Sequence, residues 1–141
     1  MIPTLVEAVF WVSLSVYHEA QGEPWEGKKG VAHVIFTRVS NRDLSAKEVV
    51  LQRYQFSWAN TNSAKLKSKI WHKTFVDCLN ATLEAIAERA AGKDFHRADH
   101  YYAFQGRNKI EAPSWSKRMK LVKDVGNHRF LRARNEKGGL Y

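Results

Sequence analysis

The feature that most constrains this chain is an apolar run that has to be a helix and has to stop at a defined point. Leu5, Val9, Val12 and Val16 recur at helical spacing. Thr4 followed by Glu7 reads as a capping box at the start, and Gly22 and Pro24 end the run. The predicted helix covers residues 4–21 and closes on His18-Glu19-Ala20-Gln21-Gly22-Glu23-Pro24. Glu19 falls in its last turn, where the negative end of the helix dipole and apolar surroundings both disfavour a charged carboxylate. A carboxyl group held that way keeps its proton near neutral pH, as a general acid must. A last-turn glutamate is ordinarily a solvated surface group, so Glu19 needs support from the rest of the chain. Glu23 is the candidate second carboxylate, although the bend at Gly22 hides its direction.

The remaining pattern predicts a mostly helical α+β domain with a small antiparallel sheet. A second helix runs from Glu26 to Val39 and buries Val31, Val34, Ile35 and Val39. Ser45 and Glu48 form another capping box, opening a short helix to about Gln52. Tyr54 to Asn62 reads as a polar and aromatic loop. A long helix follows from Ala64 to Ala91, broken near Ser68, with Phe75, Leu79, Leu83 and Ile86 inward and Gly92 at its end. Residues 98–104 and 128–133 alternate like strands and pair around the Pro113-Ser114-Trp115 loop. At 141 residues the natural count is one domain. A hydrophobic content of 44% with seven Phe, five Trp and five Tyr excludes a disordered chain. No run reaches the ~20 apolar residues that span a bilayer, so no stable membrane insertion is expected.

Several chemistries are poorly served. The single Cys78 lies mid-helix, which suits a small core residue better than a nucleophile. His18-Glu19 lacks the later histidine of a zinc-binding H-E-x-x-H, and His96 and His100 sit in a strand-like context, so no metal and no cofactor is expected. The net charge of +9 comes from 23 basic and 14 acidic residues, with basic clusters at Lys65–Lys73 and Lys117–Lys137. It suits attraction to an anionic cell wall. Without zinc spacing, a recognition helix or an RNP-like aromatic motif, it does not identify a nucleic-acid binder.

Beyond Glu19 the chain reads Trp25-Glu26-Gly27 with Val31-Ala32-His33-Val34, then Thr37-Arg38-Val39, Gln55-Phe56-Ser57, His100-Tyr101-Tyr102, Pro113-Ser114-Trp115 and Gly126-Asn127-His128-Arg129-Phe130. This ordered set resembles the SleB-like family of spore-cortex-lytic cell-wall hydrolases over about residues 13–131. The resemblance implies one catalytic domain over residues 1–141, compact and lysozyme-like, with a basic tail at 132–141. It implies cleavage of peptidoglycan glycan strands between N-acetylmuramic acid and N-acetylglucosamine by a lytic transglycosylase. It places the family's catalytic glutamate at Glu19. One departure is Thr37, where the family usually has asparagine, so a substrate contact from that position is in doubt.

The motif residues then become candidates for a substrate groove: Gln55 and Ser57 as hydrogen-bonding groups, Trp115 as a stacking platform, and His128. On the first strand Tyr101 and Tyr102 point opposite ways, and Tyr102 is expected to reach the sugar or Glu19. Two further readings stand beside the leading one: a hydrolytic muramidase using Glu23, Asp43 or Asp99 as second carboxylate, and a non-catalytic basic module binding wall polymer or nucleic acid. The first residues make a poor signal peptide, with no Lys or Arg before Lys28 and Glu7 interrupting the run. The expected setting is therefore a phage endolysin, monomeric, that accumulates in the host cytoplasm and reaches the wall through a membrane hole during host cell lysis.

Overall fold

The computed structural model describes residues 5–52 and 72–134. Helices come first and the sheet last. The helices are α1 (Leu5–Ala20), α2 (Trp25–Arg42), α3 (Ala46–Leu51) and α4 (His72–Ala90), and the strands are β1 (His100–Ala103), β2 (Lys120–Val125) and β3 (His128–Arg132). The expected α+β class, mostly helical with a small antiparallel sheet, is what is found. Thr4, the 54–62 loop with Gln55 and Ser57, the break near Ser68 and the chain beyond residue 134 lie outside the described residues.

α1 follows the predicted span, and Val12 and Val16 are fully buried. Leu5, expected on the inner face, is 66% exposed, and Val6 and Phe10 are exposed as well. The helix is apolar on every side, so spacing alone could not reveal that its core contacts are concentrated in its second half. The Glu23 N–H bonds the Ala20 carbonyl at 3.0 Å. Pro24 (φ −63°) then enters α2, where its missing N–H removes no helical hydrogen bond.

α2 is the central helix. Val31, Val34 and Ile35 are fully buried as expected, yet Lys29, His33, Thr37 and Arg38 are buried too. Buried polar groups need partners, and α4 supplies most of them. Lys29 pairs with Glu84 and Glu88, His33 Nε2 lies 2.8 Å from Glu88, and Arg89 donates to the Thr37 hydroxyl at 3.0 Å. Thr37 therefore faces α4.

The fully buried face of α4 is made of Cys78, Ala81, Thr82 and Ala85; of the residues expected inward, Phe75 packs against the core, Leu79 and Ile86 are half-buried, and Leu83 is 46% exposed. Small residues suit the positions where α4 packs against both α1 and α2, because close helix approach leaves little room for large side chains. The Ser45–Glu48 capping box opens α3 as predicted, with both reciprocal bonds at 3.1 Å.

The sheet has three strands in the order β1-β3-β2, all antiparallel. β2 went unread in the sequence because it is an edge strand with mostly exposed residues and an irregularity between Leu121 and Lys123 that breaks the two-residue period. β3 docks the sheet on α2. Phe130 is fully buried, and its ring lies so close to Gly30 that a Cβ there would come within 2.6 Å of it. Phe95 packs edge-on to Phe130 and stacks on His33. That packing holds Phe95, His96 and Arg97 in a left-handed turn at φ 54°, 53° and 60°, a conformation that costs non-glycine residues about 1–2 kcal/mol each.

Candidate active site

α1 ends, α2 passes and β1 begins around one groove of about 580 Å³, lined by Glu19, Arg38, Tyr101, Tyr102, Trp115 and His128. Glu19 lies partly buried in the last turn of α1. Desolvation raises its pKa to about 7, against the opposing pull of a hydrogen bond from Tyr101 and the positive charge of Arg38. Burial therefore wins, but the two opposing groups keep the carboxyl able to lose its proton near neutrality.

Both supporting groups are themselves fixed. Burial lowers the Arg38 pKa to about 10, which still leaves it cationic at pH 7. Its Nε donates to the Asp99 carbonyl at 2.7 Å. The Asp99 carboxylate lies 2.9 Å from His100 Nδ1 and accepts from the Ala133 N–H at 2.9 Å. Those bonds outweigh its desolvation and hold its pKa low. Burial, and then the charge of Glu19, push the Tyr101 pKa well above its ordinary value, so its hydroxyl stays protonated and donates.

Both adjacent tyrosines line the groove; of the two places expected for Tyr102, the one on Glu19 is corrected, because that hydroxyl belongs to Tyr101. Tyr102 is 6% exposed and lines the groove, while Arg129 donates to its hydroxyl. Alternation fixes that neighbouring side chains diverge, not which of them meets α1. Trp115 is 41% exposed and contacts Tyr102 edge-on and His100 at 5.2 Å, so one ring face is backed while much of the side chain meets solvent. His128 is buried, its ring 5.2 Å from that of Tyr101, and burial lowers its pKa.

Glu23 has both oxygens occupied. Oε1 accepts from the Asn127 N–H at 2.7 Å, and Oε2 from Asn127 Nδ2 at 3.2 Å. His128 Nδ1 lies 3.4 Å from Oε1. The β2–β3 turn approaches so closely that a Cβ on Gly126 (φ +56°) would stand 2.7 Å from Pro24 and 2.8 Å from Glu23. Of the other acids weighed, Asp99 is tied as described, and Asp43 caps α2 in a left-handed conformation. Arg38 and Asn127 stand within the sequence motifs, but only the folded chain brings them to Glu19 and Glu23. Cys78 is fully buried, with its thiol pushed up to about 11. Among the described residues no three His, Cys, Asp or Glu side chains group as metal ligands, and no helix is long and apolar enough to cross a membrane. A separate cavity of about 380 Å³ is bordered by His33 and Glu88. These groups already pair with each other.

The fold is that of two solved structures. The catalytic domain of the germination-specific lytic transglycosylase SleB from Bacillus anthracis superposes with a TM-score of 0.70 at 19% identity, covering 94% of this chain and 99% of that one. The catalytic domain of the Bacillus cereus SleB protein gives 0.71, also at 19% identity, covering 94% of each chain. No curated protein sequence matches the chain. Residues 22–131 match the family described as Cell Wall Hydrolase. That span begins just past Glu19 and takes in Glu23, Arg38, Tyr101 and the Gly126-Asn127-His128 turn. The chain belongs to the cell wall hydrolase family.

Proposed function

We propose that this enzyme is a lytic transglycosylase that cleaves peptidoglycan between N-acetylmuramic acid and N-acetylglucosamine, with Glu19 as its single acid and base. The observation that carries this reading is one carboxyl group, raised to about 7, in a groove with no second carboxylate at liberty. Retaining and inverting glycosidases ordinarily use a second acid as nucleophile or base. Among the described residues the other acid nearby, Glu23, is held by Asn127. The stretch 53–71 contains no Asp or Glu at all.

In the first step Glu19 gives its proton to the glycosidic oxygen, and the bond to the muramyl C1 breaks. As negative charge develops on Glu19, the Tyr101 hydroxyl and Arg38 stabilise it without having to move. The oxocarbenium-like centre is stabilised by the substrate's own N-acetyl group. In the second step the Glu19 carboxylate takes the proton of the muramyl 6-hydroxyl, whose oxygen attacks C1. This closes a 1,6-anhydro ring and restores the acid, so no water is consumed. Trp115 and Tyr102 offer aromatic surface to pyranose faces.

Mass spectrometry of the released muropeptides tests the proposal. Anhydro ends are expected, and reducing ends would assign a hydrolytic muramidase instead. Glu19→Gln should abolish release, and equal release by the variant would remove Glu19 from the mechanism and leave the proposal without its acid. The setting proposed for this activity is host cell lysis by a monomer. Cytoplasmic expression alone should then be tolerated, and co-expression with a membrane-permeabilising protein should lyse the cells. Lysis without such a partner would point to another route to the wall.

A further inference from the structure

The groove around Glu19 has two compartments of opposite chemistry. The wide one, described above, is aromatic. The second, about 210 Å³, is polar and lies between the α1–α2 connection and the loop after β1. Gln21, Gln105, Arg107, Asn108 and Asn127 line it, and both compartments include Glu19, Asn108 and His128. They therefore meet at the acid.

Arg107 is the cation that an anion entering the small compartment would meet. Arg107 lines it and has no acidic partner among the described residues. The other groups there that could be cationic are His18 and His128, and burial pushes both toward the neutral form. Of the two acids, Glu19 has its pKa raised to about 7, and both Glu23 oxygens are turned onto Asn127. An entering carboxylate thus meets the Arg107 guanidinium and the amide groups of the recess.

The loop that carries Arg107 is pinned. Phe104 N–H bonds the Asn127 carbonyl at 2.9 Å, and Ile110 N–H bonds the Ala103 carbonyl at 2.9 Å. Gln105 Nε2 donates to the Gly126 carbonyl at 3.0 Å. Gly106, at φ +86°, approaches Asn127 so closely that a Cβ would lie 2.7 Å from its side-chain carbon. A cation on a backbone already held in place loses less freedom on binding.

We infer that this polar recess is a carboxylate subsite for the stem peptide of the muramyl unit, with Arg107 forming the ion pair. The inference rests on the glycan-cleaving reading of Glu19. In peptidoglycan the stem peptide branches from the muramyl lactyl group, on the sugar whose C1 bond is broken, and it carries free carboxylates. The sugars occupy the wide aromatic compartment, and the branch enters the narrow one.

The test compares cell-wall sacculi with the same material stripped of stem peptides by an amidase, the lactyl carboxylate that this frees being capped as its methylamide. Wild type should release product from intact sacculi about tenfold faster, the worth of one charge-assisted contact. Arg107→Gln should bring that ratio close to one, and Arg107→Lys should keep part of it. Lys109→Gln, an exposed cation on the same loop outside the recess, should keep the wild-type ratio. A wild-type ratio of one, or an Arg107→Gln variant that retains the preference, overturns the subsite. Co-sedimentation of the Glu19→Gln protein with both materials separates this inference from the reading beneath it. Preferential binding to intact sacculi that is lost on adding Arg107→Gln, with no cleavage by wild type, would fail the transglycosylase and keep the subsite. Equal binding to both materials would overturn the subsite whatever the activity.

Discussion

Replacing Glu19 by glutamine should stabilise the folded protein, and only at pH values where the acid would otherwise ionise. In the unfolded chain Glu19 loses its proton near the ordinary value of 4.5, whereas in the folded protein it does so at about 7. Between those values the folded state holds a proton that the unfolded state has released, so raising the pH weakens folding. Below the lower value both states are protonated and the residue contributes nothing, while above the upper value the destabilisation is complete. At about 1.4 kcal/mol per pH unit the gap corresponds to roughly 3 kcal/mol. Because part of the carboxyl meets water, about 2–3 kcal/mol is expected after screening. Glutamine has the same shape, still accepts from Tyr101 and never ionises. Glu19→Gln should therefore match wild type at about pH 4 and exceed it by about 2–3 kcal/mol at about pH 8. For a chain of this size that gain corresponds to roughly 6–12 °C in Tm. Thermal melts and urea titrations followed by circular dichroism at several pH values measure it, and taking the difference between variant and wild type cancels every other titrating group. An equal gain at both pH extremes, or a variant less stable than wild type at alkaline pH, would refute the claim that burial holds this proton.

Two other substitutions separate roles within the groove. Tyr101→Phe removes a bond that favours the Glu19 carboxylate, so the alkaline limb of kcat/KM should move upward by roughly 0.5–1 pH unit, the worth of one hydrogen bond; a limb that stays put or falls would remove Tyr101 from Glu19. Glu23→Gln should cost about 1–2 kcal/mol of stability through weakened bonds to Asn127, seen in the urea midpoint, while kcat stays within about tenfold of wild type; loss of kcat by a hundredfold or more at unchanged stability would show that Glu23 is a second catalytic carboxylate.

Much of the fold was legible because local rules act locally. The stop at Gly22 and Pro24, the Ser45–Glu48 capping box and the two aromatic strands each depend on a few neighbouring residues, and each appears where the pattern put it. What was not legible depended on distant partners. Leu5 and Leu83 look like core residues by chemistry, but only the packing of α1, α2 and α4 decides which turns are covered. β2 is held by pairing to β3, and its own charged sequence argues against a strand. Glu19 was readable because the end of its helix and its apolar surroundings are both written nearby. Tyr101 was assigned to the wrong face, since the phase of β1 is set by Phe130 and α2 across the sheet. Arg38 needed the carbonyl of Asp99, 61 residues away, to become part of the site.

The second acidic residue of the His18–Pro24 motif shows why two carboxylates close in sequence need not share chemistry. Glu23 and Asn127 are 104 residues apart. Their two hydrogen bonds join the α1–α2 connection to the β2–β3 turn, which places His128 against Tyr101 and leaves the Tyr101 hydroxyl on Glu19. Gly126 is required twice in this junction, once for its positive φ and once because Pro24 and Glu23 occupy the space of a Cβ. A carboxylate that accepts a backbone N–H and a side-chain amide is fixed in place by those bonds, whereas Glu19 lines the groove. One motif therefore delivers a fixed carboxylate that sets the geometry and a carboxylic acid that carries the proton. The difference arises because the helix end buries one residue and the turn four positions later offers hydrogen-bond donors to the other.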